Sequence, residues 1–246
     1  LRPEALGSYH DERQHHARAM IELADLFGAA LSVTNPVLAW LRDRFMLAVK
    51  DLPSVRDYVL QMKFKPMPRI TQGVIHKAHS ARLDERVGRL FVQPPVEQLD
   101  GSVVKLDEVL GPGFALLTWQ RDLVTPLPQQ VRRDLQHLGC RPVVAARSRS
   151  LQALQLKAAP TEGTVLVEDV ENGLHLWFSA CAADWVLIRP DRMVAALGTA
   201  DTLERDVAAF CERWLPPAAG DFTSMAPVAT SAPPSEASPT PALAAA

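Results

Sequence analysis

From the start of the chain, Leu6, Tyr9, Arg13, Ala17, Met20, Ala24, Phe27 and Leu31 recur in steps of three and four. That spacing predicts a helix with one buried stripe. Asn35-Pro36 then supplies a side-chain cap followed by a proline at the first helical position. Val37, Leu38, Leu41, Phe45 and Ala48 continue a second helix. Leu52-Pro53-Ser54 interrupts the pattern, and Val55, Val59 and Met62 mark a short third helix. Pro66 and Pro68 exclude helix from the stretch that follows. The charged run from Arg82 to Arg89 is expected to be a solvated loop, with a domain boundary there.

Beyond that boundary the period changes. FALLTW (114–119) is an apolar run of strand length, PLPQQVRRDLQHLG (126–139) a helix stopped by glycine, and RPVVAAR and GTVLVEDV are further strands. In WVLIRPDRMVAAL (185–197) two apolar runs flank Arg189-Pro190-Asp191-Arg192. Proline at the second position of a four-residue turn makes this a hairpin, and WVLI, apolar on both faces, is an interior strand. A last helix opens with Asp201 as cap and Glu204 three residues on, burying Leu203, Val207, Phe210 and Trp214. Residues 216–246 hold 7 of the 20 prolines amid Ala, Ser and Thr, a composition expected to be disordered. The organisation expected is therefore residues 1–89 as a helical segment, 90–215 as an α/β domain and 216–246 as a tail.

With 246 residues, 48% apolar and 22% charged, the chain can bury a sizeable core. A net charge of −2 gives no reason to expect nucleic acid or an anionic membrane as partner. Residues 1–90 hold 14 basic and 10 acidic side chains against 12 and 18 in the remainder, so the charge is mildly basic first and acidic after. Cys140, Cys181 and Cys211 are far apart and form no C-x-x-C, which argues against a disulfide scaffold, a zinc ribbon or a dithiol motif and suits the cytosol. No apolar run reaches the roughly 20 residues of a membrane span, and the polar N-terminus is not that of a signal peptide.

The segment SYHDERQHHARAM (8–20) is the densest cluster of titratable groups. Two metal ligands on a helix need i, i+4 spacing, and His10, His15 and His16 lack it. Asp11 with His15, and Glu12 with His16, are expected as surface acid–base pairs worth about 0.2–0.5 kcal/mol each. GPGFAL (111–116) follows a helix, opens a strand and lacks a third glycine, so it is a turn and not a dinucleotide loop. Arg56, Lys63, Lys65 and Arg69 form a basic run. Most such residues are a solvated face, but Lys65 and Arg69 bracket Pro66-Met67-Pro68 and are candidates to hold an anionic substrate.

Taken together, LGSYHDERQHHARAMIELADLFG, AWLRDRF, MKFKPMPRITQG, GRLFVQPPV, LDEVLGPGFALL and VLIRPDRMVAALG resemble, in order, the C-terminal part of the single-component FAD-dependent aromatic hydroxylases, over residues 1 to about 215. The resemblance implies an α/β fold: a helical C-terminal segment of a flavoprotein monooxygenase catalytic region followed by a thioredoxin-like domain. It places Ser8, Tyr9, Glu12 and Arg13 on the family's S-Y-x-x-E-R helix, with Tyr9 and Arg13 packing onto the flavin domain. FAD and NAD(P)H are implied for the complete enzyme, with a 3-hydroxyphenylpropionate-like phenol as substrate. The glycine-rich and Asp-Gly motifs that touch flavin in that family are absent, so this chain, which opens with Leu1, is expected to be a fragment that lacks catalytic and cofactor-binding residues. Its partner would be the missing FAD domain, and an uncovered helical stripe would favour self-association. Where redox relatives of the thioredoxin fold carry C-x-x-C, this chain has QRDLVTPLP, so dithiol exchange is excluded. The alternative is a redox-inactive thioredoxin-like binding or oligomerisation module that works without flavin.

Overall fold

The apolar runs of the second half of the chain assemble into one sheet. The computed structural model describes residues 1–50, 67–119, 129–147 and 163–216. The third helix expected at residues 55–62, Lys65, the QRDLVTPLP segment and the tail beyond Pro216 lie outside the described residues.

The strands are β1 (Pro95–Gln98), β2 (Val103–Lys105), β3 (Ala115–Trp119), β4 (Arg141–Arg147), β5 (Val165–Asp169), β6 (Trp185–Ile188) and β7 (Val194–Gly198). They form a seven-stranded sheet in the order β2-β1-β5-β4-β3-β6-β7. The central β3, β4 and β5 are parallel, whereas β6 pairs antiparallel with β3 and β7 antiparallel with β6. The arrangement β4-β3-β6-β7, with a helix between β3 and β4 and another after β7, is a thioredoxin-like core. β5 and the β1–β2 hairpin extend it on one side.

Side chains alternate between two cores. Leu117, Val186 and Ile188 face a layer built from α4 (Leu106–Leu110) and α6 (Gly173–Cys181), with Trp177 and Phe178. Leu116, Trp185 and Leu187 face α5 (Gln129–His137) and α7 (Leu203–Trp214), with Val131, Val207 and Phe210. Because both faces are covered, the central strands are apolar throughout rather than alternating, and all four residues of WVLI are buried. Trp185 also donates its indole N–H to the Thr199 carbonyl at 2.8 Å, which satisfies its polar end inside the core.

The expected hairpin is present. The Arg192 N–H closes the turn on the Arg189 carbonyl at 2.9 Å, and Arg192 adopts the left-handed conformation at φ 65°. Its guanidinium binds the Asp107 and Gly111 carbonyls at 3.2 and 2.8 Å, satisfying carbonyls of α4 and the glycine that ends it. Gly139, at φ 65°, stops α5 as expected, its N–H donating to Gln136. The final helix starts one residue later than expected: Thr202, not Asp201, occupies the capping position, without a side-chain cap bond.

Residues 69–91 depart most from expectation. They are not a solvated loop: Ser80 caps a short turn, α3 (Ala81–Asp84), by accepting from the Leu83 N–H, and Val87 is buried. The segment covers the β7 edge through His76 N–H to Ala195, Gly88 N–H to Val194 and Val194 N–H to Arg89, protecting an edge that would otherwise be open to pairing. Ile70, Ile75 and Val87 share one core cluster with Phe91 and Leu110, so the core crosses the boundary expected at residues 89 and 90.

Candidate functional site

The first N-terminal helix carries Tyr9, Arg13 and the histidine-rich segment singled out by sequence. α1 (Glu4–Leu31) and α2 (Pro36–Lys50) are helical as expected, and Asn35 Oδ1 caps α2 by accepting from the Val37 and Leu38 N–H groups at 2.9 and 3.3 Å. Their predicted buried stripe is not buried. Leu6 is 82% exposed, Tyr9 62% and Leu31 68%, and Leu38, Leu41 and Phe45 are exposed too. Tyr9 and Arg13 stack on this open face, the guanidinium carbon 5.7 Å from the ring centroid. They border a shallow concavity along α1 with Ala17 and Ile21.

The face of α1 that meets the sheet layer runs instead through Ala5, Ser8 and Glu12. Glu12 is the only buried residue of the helix, and it corrects the surface pair expected with His16. Its carboxylate accepts two bonds from the Arg189 guanidinium, at 2.9 and 2.8 Å, one from the Val74 N–H at 2.8 Å, and one from the Ser8 hydroxyl at 3.2 Å. Arg189 also reaches Asp191 on the hairpin turn, at 3.1 and 3.0 Å. Burial alone would raise the Glu12 pKa, but Arg189 and the Val74 N–H outweigh it and hold the carboxyl below its ordinary value. Gly73, at φ 108°, passes so close that an added Cβ would stand 2.2 Å from Glu12 Oε1. Thus residues of the first, third and last resembling motifs meet in one junction: Glu12, Gly73 and Arg189. At the helix start, Arg2 adds donors to the Leu215 and Glu212 carbonyls at the end of α7.

Arg69 is engaged within its own segment, with Nη2 on the Asp84 carbonyl at 2.8 Å and 3.6 Å from the Asp84 carboxylate. The described geometry makes it a clamp on the α3 turn. Its expected companion Lys65 lies outside the described residues.

A second cluster, unforeseen from sequence, lies where residues 69–91 meet α7. His79 Nε2 is 3.0 Å from Asp206 Oδ1, and His76 Nε2 is 3.9 Å from the same oxygen. Asp206 is buried, and burial would raise its pKa, but hydrogen bonds from His79, Arg205 and Thr202 lower it below the ordinary value. The His76–His79 spacing is visible in the sequence, but Asp206 is 127 residues beyond His79.

Cys181 and Cys211 are buried, and burial raises the pKa of all three thiols, Cys211 to about 12, which disfavours the thiolate that would attack a disulfide. Gly111-Pro112-Gly113 follows α4 and opens β3, so no helix N-terminus stands behind it to receive a pyrophosphate.

Residues 88–213, just over half of the chain, match the HcaD C-terminal domain. The chain belongs to that family. It is 44% identical over 210 residues to a 3-(3-hydroxy-phenyl)propionate/3-hydroxycinnamic acid hydroxylase of Burkholderia cenocepacia (strain HI2424), covering 85% of this chain and 38% of that protein. A protein of the same name from Mycolicibacterium gilvum (strain PYR-GCK) is 38% identical over 194 residues, covering 78% of this chain and 33% of the relative. The chain thus spans about a third of the length of the curated relatives it matches. In fold it is similar to the solved structure of BexE, studied for oxidation during BE-7585A biosynthesis, with a TM-score of 0.50 and 18% identity over 88% of this chain and 36% of BexE.

Proposed function

We propose that this chain is the C-terminal portion of an FAD- and NAD(P)H-dependent monooxygenase that hydroxylates a phenolic ring of the 3-hydroxyphenylpropionate type in the cytosol. The observation that carries this reading is the 44% identity to the Burkholderia hydroxylase along 85% of the chain. The flavin and the reacting ring then belong to the part of the polypeptide beyond this chain. The residues present hold that part rather than perform chemistry. The exposed apolar stripe Leu6, Tyr9, Phe27 and Leu31 on α1, with Leu41 and Phe45 on α2, is the surface offered to it, because apolar faces of this extent mark interaction sites. The Glu12–Arg189 junction sets the position of α1 on the sheet layer and so positions that surface.

The test is expression of the intact protein. A yellow protein that retains FAD and consumes NAD(P)H and oxygen only when 3-hydroxyphenylpropionate is added supports the proposal. An intact protein without flavin, or one indifferent to phenols, overturns it. The buried thiols and complete sheet favour a second reading, a redox-inactive binding module; tight FAD quenching by the isolated 246-residue chain would defeat both readings of its residues.

A further inference from the structure

His76, His79 and Asp206 present three ligand atoms that all lie within 4.8 Å of one another. Nitrogen and oxygen ligands of a tetrahedral zinc ion lie about 2.0–2.2 Å from the metal and hence about 3.4 Å apart. The separations of 3.0 and 3.9 Å to Asp206 Oδ1 bracket that value, and the third pair, His76 and His79, lies within 4.8 Å, a gap that side-chain rotation can close.

The backbone behind each ligand is fixed. The His76 N–H is bonded to Ala195 of β7 at 2.7 Å, and Val74, two residues earlier, is held by Glu12. His79 adjoins Ser80, the cap of α3. Asp206 lies in the first turn of α7, among the buried Leu203, Val207 and Phe210. His79 is largely exposed, which leaves an entry path and room for water as a fourth ligand. The charge now facing Asp206 Oδ1 is Arg205, 3.0 Å away on an exposed side chain that can turn outward. Two imidazoles and one carboxylate form a borderline N/O donor set, suited to zinc, cobalt or nickel and not to calcium or magnesium.

We propose that His76, His79 and Asp206 bind one divalent transition-metal ion of the zinc type. The ion would tie the edge-covering segment 69–91 to α7, with ligands 127 residues apart in the sequence. This inference is independent of the activity proposed above.

The experiment is titration of the chelator-stripped 246-residue chain with zinc by calorimetry, and with cobalt by its visible absorption. One equivalent is expected to bind, and the melting temperature to rise with zinc. His79→Ala, at an exposed position, should weaken binding by more than about tenfold and abolish the thermal shift. His76→Ala should act alike. His10→Ala/His15→Ala/His16→Ala, on α1, should change nothing. No saturable binding in the unaltered chain overturns the proposal. So does binding that survives His79→Ala and disappears in the α1 triple variant.

Discussion

Removing the Glu12 carboxylate should release α1 from the sheet layer without unfolding the layer itself. The side chain is 3% exposed, and its partner Arg189 is 12% exposed. Breaking a fully buried ion pair by deleting one partner costs about 3–5 kcal/mol. Here Asp191 still faces Arg189 at 3.0 Å and some water reaches it, so about 2–3 kcal/mol is expected for Glu12→Ala. Among the described residues, the other contacts of α1 with the sheet layer include Arg2 at its start and the packing of Ala5. The loss should therefore appear as local opening, about 30- to 160-fold faster amide exchange in the first turns of α1 and at Val74, whose N–H loses its acceptor. Protection in β3 and β6 should not change. The pH dependence has a definite sign. Because the folded carboxyl is held below its ordinary 4.5, the contribution is complete above pH 4.5 and disappears as pH falls through the lowered folded value. After correction for intrinsic exchange, α1 protection in the unaltered chain should fall in that acid window, while in Glu12→Gln it should stay flat. The assay is hydrogen exchange read by mass spectrometry, with Glu12→Ala/Arg189→Ala expected to cost less than the sum of the single changes. Exchange at Val74 and in α1 within about twofold of the unaltered chain would refute the reasoning.

Gly73→Ala places a Cβ against Glu12 at a φ of 108°, so a loss of about 1–3 kcal/mol is expected, seen as a lower melting temperature; an unchanged melt would show that the junction yields. Ile70→Ala, at a 5% exposed position in the core shared with Phe91, should cost about 2–5 kcal/mol and lower the single transition of the whole sheet. A sheet transition unaffected by that change would restore a boundary near residue 89. Cys211, with its thiol pushed up to about 12, should resist iodoacetamide at pH 8 in the folded chain and react readily in denaturant. Equal rates in the two conditions would contradict its burial.

The sequence by itself determined α1, α2, α5, α7 and β3 to β7, because each is governed by local rules, whereas only the tertiary structure revealed β1, β2, α3 and α6. Asn35-Pro36 fixes the start of α2, Gly139 the end of α5, and Arg189-Pro190-Asp191-Arg192 the hairpin, since capping and turn geometry depend on residues only a few positions apart. The apolar runs FALLTW and WVLI marked strands for the same reason, and WVLI, apolar on both faces, one that is interior. Periodicity also found α1, but not which of its faces turns inward. That depended on an arginine 177 residues away, and no spacing within the helix shows that Glu12, and not the neighbouring apolar stripe, meets the body of the chain. Likewise the charges of residues 82–89 read as solvated, whereas pairing with the β7 edge buries Val87 and draws 69–91 into the core. Both decisions are long-range. A buried carboxylate is stable only where a distant guanidinium and amide converge on it, and only the tertiary structure brings Glu12 to Arg189, or His76 and His79 to Asp206.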